Sequence, residues 1–410
     1  MGTEVDGSQL NVAEIHALDK QYVMGTYIRQ PMVIVKGDGA RLWDSEGNEY
    51  LDFLAGIAVA QVGHCHPRIA EAISKQAHQL MHVSNLFHNE LQAKLAARLC
   101  GLTGMDKVFF CNSGAEANEC AIKLARKRGK QLRGPDCYEI ITFEGSFHGR
   151  TMGALAATAQ PKYQEAFAPM PPGFLYTKLN DLAALDQLIS EKTCAVMVEP
   201  IQGESGVRPV SPEFLKAIRL LCNEAEVLLI LDEVQCGTGR TGCFLGSHHL
   251  GIKGDVITMA KGIADGFPMG ACLASGEAAN TLVPGDHGST FAGQPLACAA
   301  ALATLDVLED EGLMQNAEEV GAFLANQLNV LAGRYPHLIK EVRGLGLMIG
   351  IEFSQPIAKK LLAGLYRRFI IANAVGESIL RLVPPLVITR EQCMQLVEAL
   401  DAELHHVIVE

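Results

Sequence analysis

Hydrophobic positions along this chain follow two different periods. Short, largely apolar runs occupy Val108–Cys111, Tyr138–Phe143, Ala195–Glu199, Val227–Leu231 and Val256–Met259. Runs of this length, without a regular polar alternation, read as strands covered on both faces, as in parallel sheets. Around them apolar residues recur at helical spacing, over Pro67–Leu80, Asn89–Leu102, Ala115–Gly129 and the long stretch that follows Leu296. Strand and helix signals in turn predict an α/β fold whose large domain is a mostly parallel, doubly wound sheet. Upstream, Met32–Phe53 reads as a β-meander with turns at Gly37-Asp38-Gly39 and Ser45-Glu46-Gly47-Asn48. The chain ahead of it, ending in Tyr27–Pro31, shows no clear period and reads as an arm. The expected organisation is an arm and part of a small domain over 1–60, the large domain over 61–309, and an α+β remainder of the small domain over 310–410.

Composition narrows the partners. At 410 residues the chain has room for two or three domains of about 150 residues each. A net charge of −12 argues against nucleic acid, because phosphate contacts need a basic surface. No apolar run reaches the roughly 18 residues that a membrane span needs. Met1–Leu10 carries acids and neither a basic nor an apolar leader segment, so no secretory or transit peptide is expected. Asp6 takes the Ser/Thr position that a myristoylation start would need. The 12 cysteines form no C-x-x-C pair, and Cys100, Cys120, Cys222 and Cys298 fall inside expected elements. Reduced thiols in a cytoplasmic protein are the expectation. His64-Cys65-His66 and His248-His249 lack a second ligand pair at zinc spacing, so no metal site is expected.

Candidate chemistry collects where the strands end, which is where open α/β sheets bind ligands. The run Val227–Leu231 passes directly into Asp232 and Glu233, with Gln235 close behind, and Val256–Ala260 delivers Lys261 and Gly262. One site holding a carboxylate and an amine follows from that pair. Ser113-Gly114-Ala115 sits between a strand and a helix, where backbone N–H groups and the helix dipole favour an anion. In Gly145–Arg150 the ring of Phe147 lies close to the cation of Arg150, one suited to stacking on a flat ligand and the other to a carboxylate. Gly344–Gly350 mimics a dinucleotide fingerprint but runs into a strand instead of opening a helix, and is set aside. A phosphate cradle, a stacking ring, a carboxylate opposite a ring nitrogen and a lysine for a Schiff base are together the requirements of pyridoxal phosphate. Asp232 would keep the ring nitrogen protonated, and Lys261 would hold the cofactor and then carry a proton.

These stretches resemble the class III aminotransferases of fold type I, which use pyridoxal 5'-phosphate. The likeness spans roughly residues 22–405. It rests on F-C-N-S-G-A-E-A-N-E at 110–119, F-H-G-R-T at 147–151, E-P-I-Q-G-E at 199–204, L-D-E-V-Q-C-G-T-G-R-T-G at 231–242, A-K-G at 260–262 and R-L-V-P-P-L at 381–386. The resemblance implies that Lys261 and Asp232 are catalytic, with Gln235 near the ring's phenolic oxygen. It implies that Ser113, Gly114 and Ala115 hold the phosphate and that Phe147 stacks on the ring. Thr290, in G-S-T-F at 288–291, would reach the phosphate of a neighbouring subunit, which makes a homodimer with shared sites the expected assembly. Arg150 would grip the distal carboxylate of the substrate and Arg381 the α-carboxylate of 2-oxoglutarate. Glu204 would pair with Arg381 while the amine donor is bound.

The pattern is most similar to the branch of the family that acts on acylated ornithine. It implies transfer of the δ-amine of N-acetylornithine to 2-oxoglutarate, giving a semialdehyde and glutamate, a step of arginine biosynthesis. Ile57 stands where ornithine-specific members place Tyr, which disfavours free ornithine, while succinylornithine, acetyl-lysine and 4-aminobutyrate stay open as donors. A non-catalytic member of the fold would have lost Lys261 or Asp232, and both are present. Ala292 and Gln294 depart from the family's G-S-T-F-G-G-N-P-L, and Ala292 would strain the Thr290 loop if that position needs φ > 0.

Overall fold

The computed structural model describes residues 10–409, so the targeting reading of the extreme N-terminus rests on residues outside those described. Seven strands form the central sheet. In spatial order they are Lys107–Cys111, Gly270–Ala274, Val256–Met259, Leu228–Asp232, Thr193–Val198, Glu139–Phe143 and Phe174–Thr177. All run parallel except Gly270–Ala274, which is antiparallel to both of its neighbours. Thr193–Val198 is buried at every position, as an apolar run without polar alternation requires. Asp232 pairs in register with Thr258, three residues before Lys261. Both therefore leave the sheet at the same carboxyl edge, as expected.

The two chain ends share a second sheet. The meander Ile34–Asp38, Arg41–Asp44 and Glu49–Asp52 is extended by Ile370–Ile371, which pairs parallel with the last of these strands. A third sheet, ordered Ile339–Leu345, Met348–Phe353, Ile379–Leu382 and Asn373–Val375, carries Arg381 in its third strand. Met348 does open a strand, so the Gly344–Gly350 stretch is not a dinucleotide turn.

One expectation fails ahead of the meander. The segment read as an aperiodic arm contains the helix Val12–Tyr22, started by a capping box between Asn11 and Glu14. None of its residues is buried, so no apolar stripe marks it in the sequence.

Candidate active site

A pocket of about 390 Å³ opens at the carboxyl edge of the central sheet. Its walls bring together Ser113, Gly114, Ala115, Phe147, Arg150, Glu204, Asp232, Gln235 and Lys261. Arg381 lies just behind the wall, bonded to Glu204 and Gln235. Thr290 is exposed and is not part of this wall. Its neighbour Ser289 accepts a hydrogen bond from Asn112 Nδ2 at 3.0 Å, which ties that loop to the same edge.

Asp232 is buried and held by donors from separate parts of the chain. Its Oδ2 accepts from Asn118 Nδ2 at 2.8 Å and from His148 Nδ1 at 2.8 Å, and its Oδ1 accepts from the Val234 N–H at 3.0 Å. Burial pulls the His148 imidazole down, but the hydrogen bond and charge of Asp232 outweigh it and leave the ring above its ordinary value. His148 Nε2 is buried with no partner among the described residues. Neither His148 nor Asn118 was given a role from the sequence, although both lie inside the quoted motifs. The available signal was physical: a buried carboxylate needs donors.

Lys261 projects from a strained turn. Its φ is 49°, in the left-handed region that a non-glycine residue occupies at a cost of about 1–3 kcal/mol, a feature that clusters at functional sites. A side chain on the next residue, Gly262, would sit 2.8 Å from Gln61 Cδ, so the turn has no room there. Among the described residues Lys261 has no hydrogen bond or ion pair. Burial lowers its amine below the usual lysine range, against the opposing charges of Glu204 and Asp232 and with the help of Arg381.

Beside the lysine stands an internal ion pair. Arg381 is 1% exposed and its Nη1 meets Glu204 Oε1 in a salt bridge. The same guanidinium donates to Gln235 Oε1 at 3.3 Å and to Asn373 Oδ1 at 2.9 Å. Burial pushes the Glu204 carboxyl up, but the charge and hydrogen bond of Arg381 outweigh it and hold it below the usual range. Gln235 also donates to Glu204 Oε1 at 3.4 Å, so in this structure it serves the ion pair. Buried Glu199 accepts from the N–H groups of Phe147 (3.0 Å) and Gly203 (3.4 Å) and so joins the Phe147 loop to the Glu204 loop. Burial raises its carboxyl to about 7, with Asp232 adding to the rise and His148 opposing it.

Ser113, Gly114 and Ala115 form a strand-to-helix turn at the pocket wall. Ser113 caps the 20-residue helix Gly114–Arg133, its Oγ accepting from the Glu116 N–H at 3.2 Å. The first-turn N–H groups of Gly114 and Ala115 have no acceptor within the helix. A side chain at Gly114 would meet Val234 Cγ1 at 2.7 Å, and one at Gly149 would meet Ala115 Cβ at 2.7 Å, so both glycines allow close approach. The strain expected at Ala292 is absent: the left-handed residue of that loop is Gly293, at φ 60°. Ile57, read as a donor selector, belongs to a left-handed turn, Ala55–Ala58, from which Val59 lines the pocket.

Adjacent parallel strands that hand a fixed carboxylate and an unpaired amine to one pocket fit the pyridoxal-phosphate-dependent transferases of fold type I. The particular family follows from comparison with known proteins. The model of the class-III aminotransferases matches residues 24–404, and the chain belongs to that family. The acetylornithine aminotransferase of Caldanaerobacter subterraneus subsp. tengcongensis is 47% identical over 389 residues, covering 95% of this chain and 98% of that protein. The enzyme of the same name from Methanocaldococcus jannaschii is 48% identical over 387 residues, covering 94% and 96%. The solved structure of ornithine aminotransferase from Toxoplasma gondii, described with PLP at its active site, superposes with a TM-score of 0.93 at 36% identity, covering 97% and 95%.

Proposed function

We propose that this chain transfers the δ-amine of N-acetylornithine to 2-oxoglutarate by a ping-pong route, with pyridoxal phosphate as cofactor, in arginine biosynthesis. The observation that carries the reading is the Glu204–Arg381 ion pair beside the unpaired amine of Lys261. One pocket must take a donor that reacts at a terminal amine and an acceptor that reacts beside a carboxylate. A carboxylate of the chain's own, parked on Arg381, neutralises that cation for the donor and swings away for the acceptor. The names and full-length identities of the bacterial and archaeal relatives support the acetylated donor over free ornithine.

The residues present fit the cofactor. The cradle of Ser113, Gly114 and Ala115 offers first-turn N–H groups to a phosphate at a spot where a side chain on Gly114 would collide with Val234. Phe147 supplies a ring face, and Asp232, fixed by three donors, presents a carboxylate to a ring nitrogen. When bound, pyridoxal phosphate supplies an aldehyde for the incoming amine and a ring that withdraws electrons. The chain supplies the rest. Burial lowers the Lys261 amine below the usual lysine range, and with the cofactor bound Lys261 Nζ would hold it and then take and return a proton. Arg150, at the mouth, grips the distal carboxylate, and Arg381 the α-carboxylate of 2-oxoglutarate once Glu204 has moved.

The same reading takes 61–309 as the cofactor-binding domain, with 1–60 and 310–410 as the smaller one, and a homodimer as the working unit. Thr290 is exposed, as are the apolar side chains of Leu86, Phe87 and Phe291. Asn85 Nδ2 donates to Ala292 O at 2.9 Å and the rings of His82 and Phe291 lie 5.4 Å apart, so these residues form one surface suited to a second copy. Among the described residues no helix is long and apolar enough to cross a membrane; we assign the enzyme to the cytoplasm on its cysteine usage. The test is half-reaction absorbance spectroscopy of the purified holoenzyme. The cofactor band bleaches fastest with N-acetylornithine; bleaching only by 4-aminobutyrate or ornithine overturns the donor assignment.

A further inference from the structure

We infer that Tyr163 is the positioning residue for Arg150, and that its ring sets how strongly the pocket prefers donors bearing a carboxylate. The inference rests on the proposal above that Arg150 is the carboxylate grip. Arg150 is exposed, and among the described residues it has no hydrogen bond or ion pair. A long, free side chain of this kind loses much rotamer freedom when it must hold one geometry. What restrains it is aromatic. Its guanidinium carbon lies 4.0 Å from the centroid of the Tyr163 ring and 5.5 Å from that of Phe147. The two rings meet edge to face, with centroids 6.1 Å apart at 83°, so Tyr163 touches both the stacking ring and the grip.

Tyr163 is itself tied to the loop it serves. It sits in the short helix Pro161–Gln164, and its N–H donates to Gln160 O at 3.0 Å. Gln160 Nε2 donates to the carbonyls of Gly145 (3.2 Å) and Ser146 (2.9 Å), which begin the Gly145–Arg150 loop. Gln164 Nε2 donates to Leu155 O at 3.0 Å and Thr158 O at 2.7 Å. The turn that carries the ring is thus tied to the Gly145–Arg150 loop, and the arginine rests on the ring. Lys162 Nζ lies 4.7 Å from the same ring and adds a second positive charge at the mouth, which favours carboxylates further. A cation over a ring at an exposed site is worth about two- to five-fold in an equilibrium.

The test uses the holoenzyme and two donors with the same reacting amine, N-acetylornithine and its decarboxylated counterpart N-acetylputrescine. Half-reaction absorbance gives the ratio of their second-order rates, and the cofactor band checks the fold. Tyr163→Leu lowers that ratio about three- to five-fold through the apparent Kd of N-acetylornithine, its limiting rate holding; Tyr163→Phe, which keeps the ring, retains the ratio. Should the leucine variant fail to bind cofactor, Tyr163→Gln is read in the same way. Arg150→Ala collapses the ratio. If Tyr163→Leu keeps the wild-type ratio while Arg150→Ala collapses it, the Tyr163 inference is wrong and the Arg150 assignment stands. If Arg150→Ala keeps the ratio, the underlying assignment falls and this inference with it. A Tyr163→Phe variant that loses as much as the leucine variant places the effect in the hydroxyl and overturns the ring argument.

Discussion

Removing the carboxylate of Glu204 changes which amine the enzyme accepts. In Glu204→Ala, Arg381 keeps Asn373 Oδ1 and Gln235 Oε1 as partners but loses its counter-ion. If Arg381 is the α-carboxylate grip proposed above, glutamate, entering in the reverse half-reaction, places its α-carboxylate where Glu204 Oε1 now sits. In the wild type it first has to displace that charge-assisted bond, worth about 1.5–3 kcal/mol. The Glu204 side chain is 25% exposed, so screening is partial and the lower half of that range applies best. Removing the competitor therefore raises the second-order rate for glutamate about ten- to forty-fold, at about 1.4 kcal/mol per factor of ten. N-acetylornithine moves in the other direction, because its protonated amine then meets an uncompensated guanidinium. The assay is stopped-flow absorbance of the holoenzyme with each amine alone, reported as the ratio of second-order rates. A ratio that stays at the wild-type value, with both rates reduced in proportion, would refute the gate and reduce Glu204 to a structural partner of Arg381.

Three further outcomes are expected. Lys261→Ala abolishes turnover while cofactor still binds through the Ser113–Ala115 cradle, as read by steady-state assay and by cofactor retained after gel filtration; measurable turnover at a tenth of wild type contradicts the mechanism. Gly114→Ala forces a Cβ to within 2.7 Å of Val234 Cγ1 and so weakens cofactor binding about ten-fold in apoenzyme titrations, consistent with overpacking costs of about 1–3 kcal/mol, and Val234→Ala in the same chain restores it. Glu204 also carries a pH signature. Its folded carboxyl lies below the ordinary 4.5, so its contribution to stability is present above that value and disappears as pH falls through the depressed one. The gap in thermal midpoint between wild type and Glu204→Gln is accordingly widest near neutral pH and closes in acid; an equal gap at both ends contradicts the assignment.

The carboxyl edge of the central sheet was legible because it follows from chain periodicity. A short apolar run that ends in Asp232 and another that ends in Lys261 already place two functional groups at one end of a parallel sheet, and the register of Asp232 with Thr258 bears this out. What escaped has physical reasons as well. The run Gly270–Ala274 is as apolar and as buried as its neighbours, and burial says nothing of strand direction, so its antiparallel course is invisible in the pattern. The helix Val12–Tyr22 has a start signal in Asn11 and Glu14 but no face to bury, and a search for apolar stripes passes over it. The left-handed position of the Thr290 loop falls on Gly293, which adopts it without strain, and not on Ala292, because which residue of a loop turns left-handed depends on what the loop packs against.

The support of Asp232 shows why site chemistry is harder to read than site position. Its two side-chain donors, Asn118 and His148, lie 114 and 84 residues away in sequence, and no spacing rule links either to a strand-end aspartate. The loop that carries His148 does three things at once. Phe147 lines the pocket, His148 lies buried against the carboxylate, and Arg150 remains exposed at the mouth against Tyr163. A substitution in this loop therefore cannot be assigned to one function from its position alone. Loss of Arg150 should alter donor selection with the cofactor in place. Loss of His148 removes a donor from a buried charge, a change that costs about 1–3 kcal/mol where no replacement donor exists, and so acts on Asp232 before any substrate binds. The two effects separate in experiment: the first depends on which donor is added, and the second is visible in the absorbance of the resting holoenzyme.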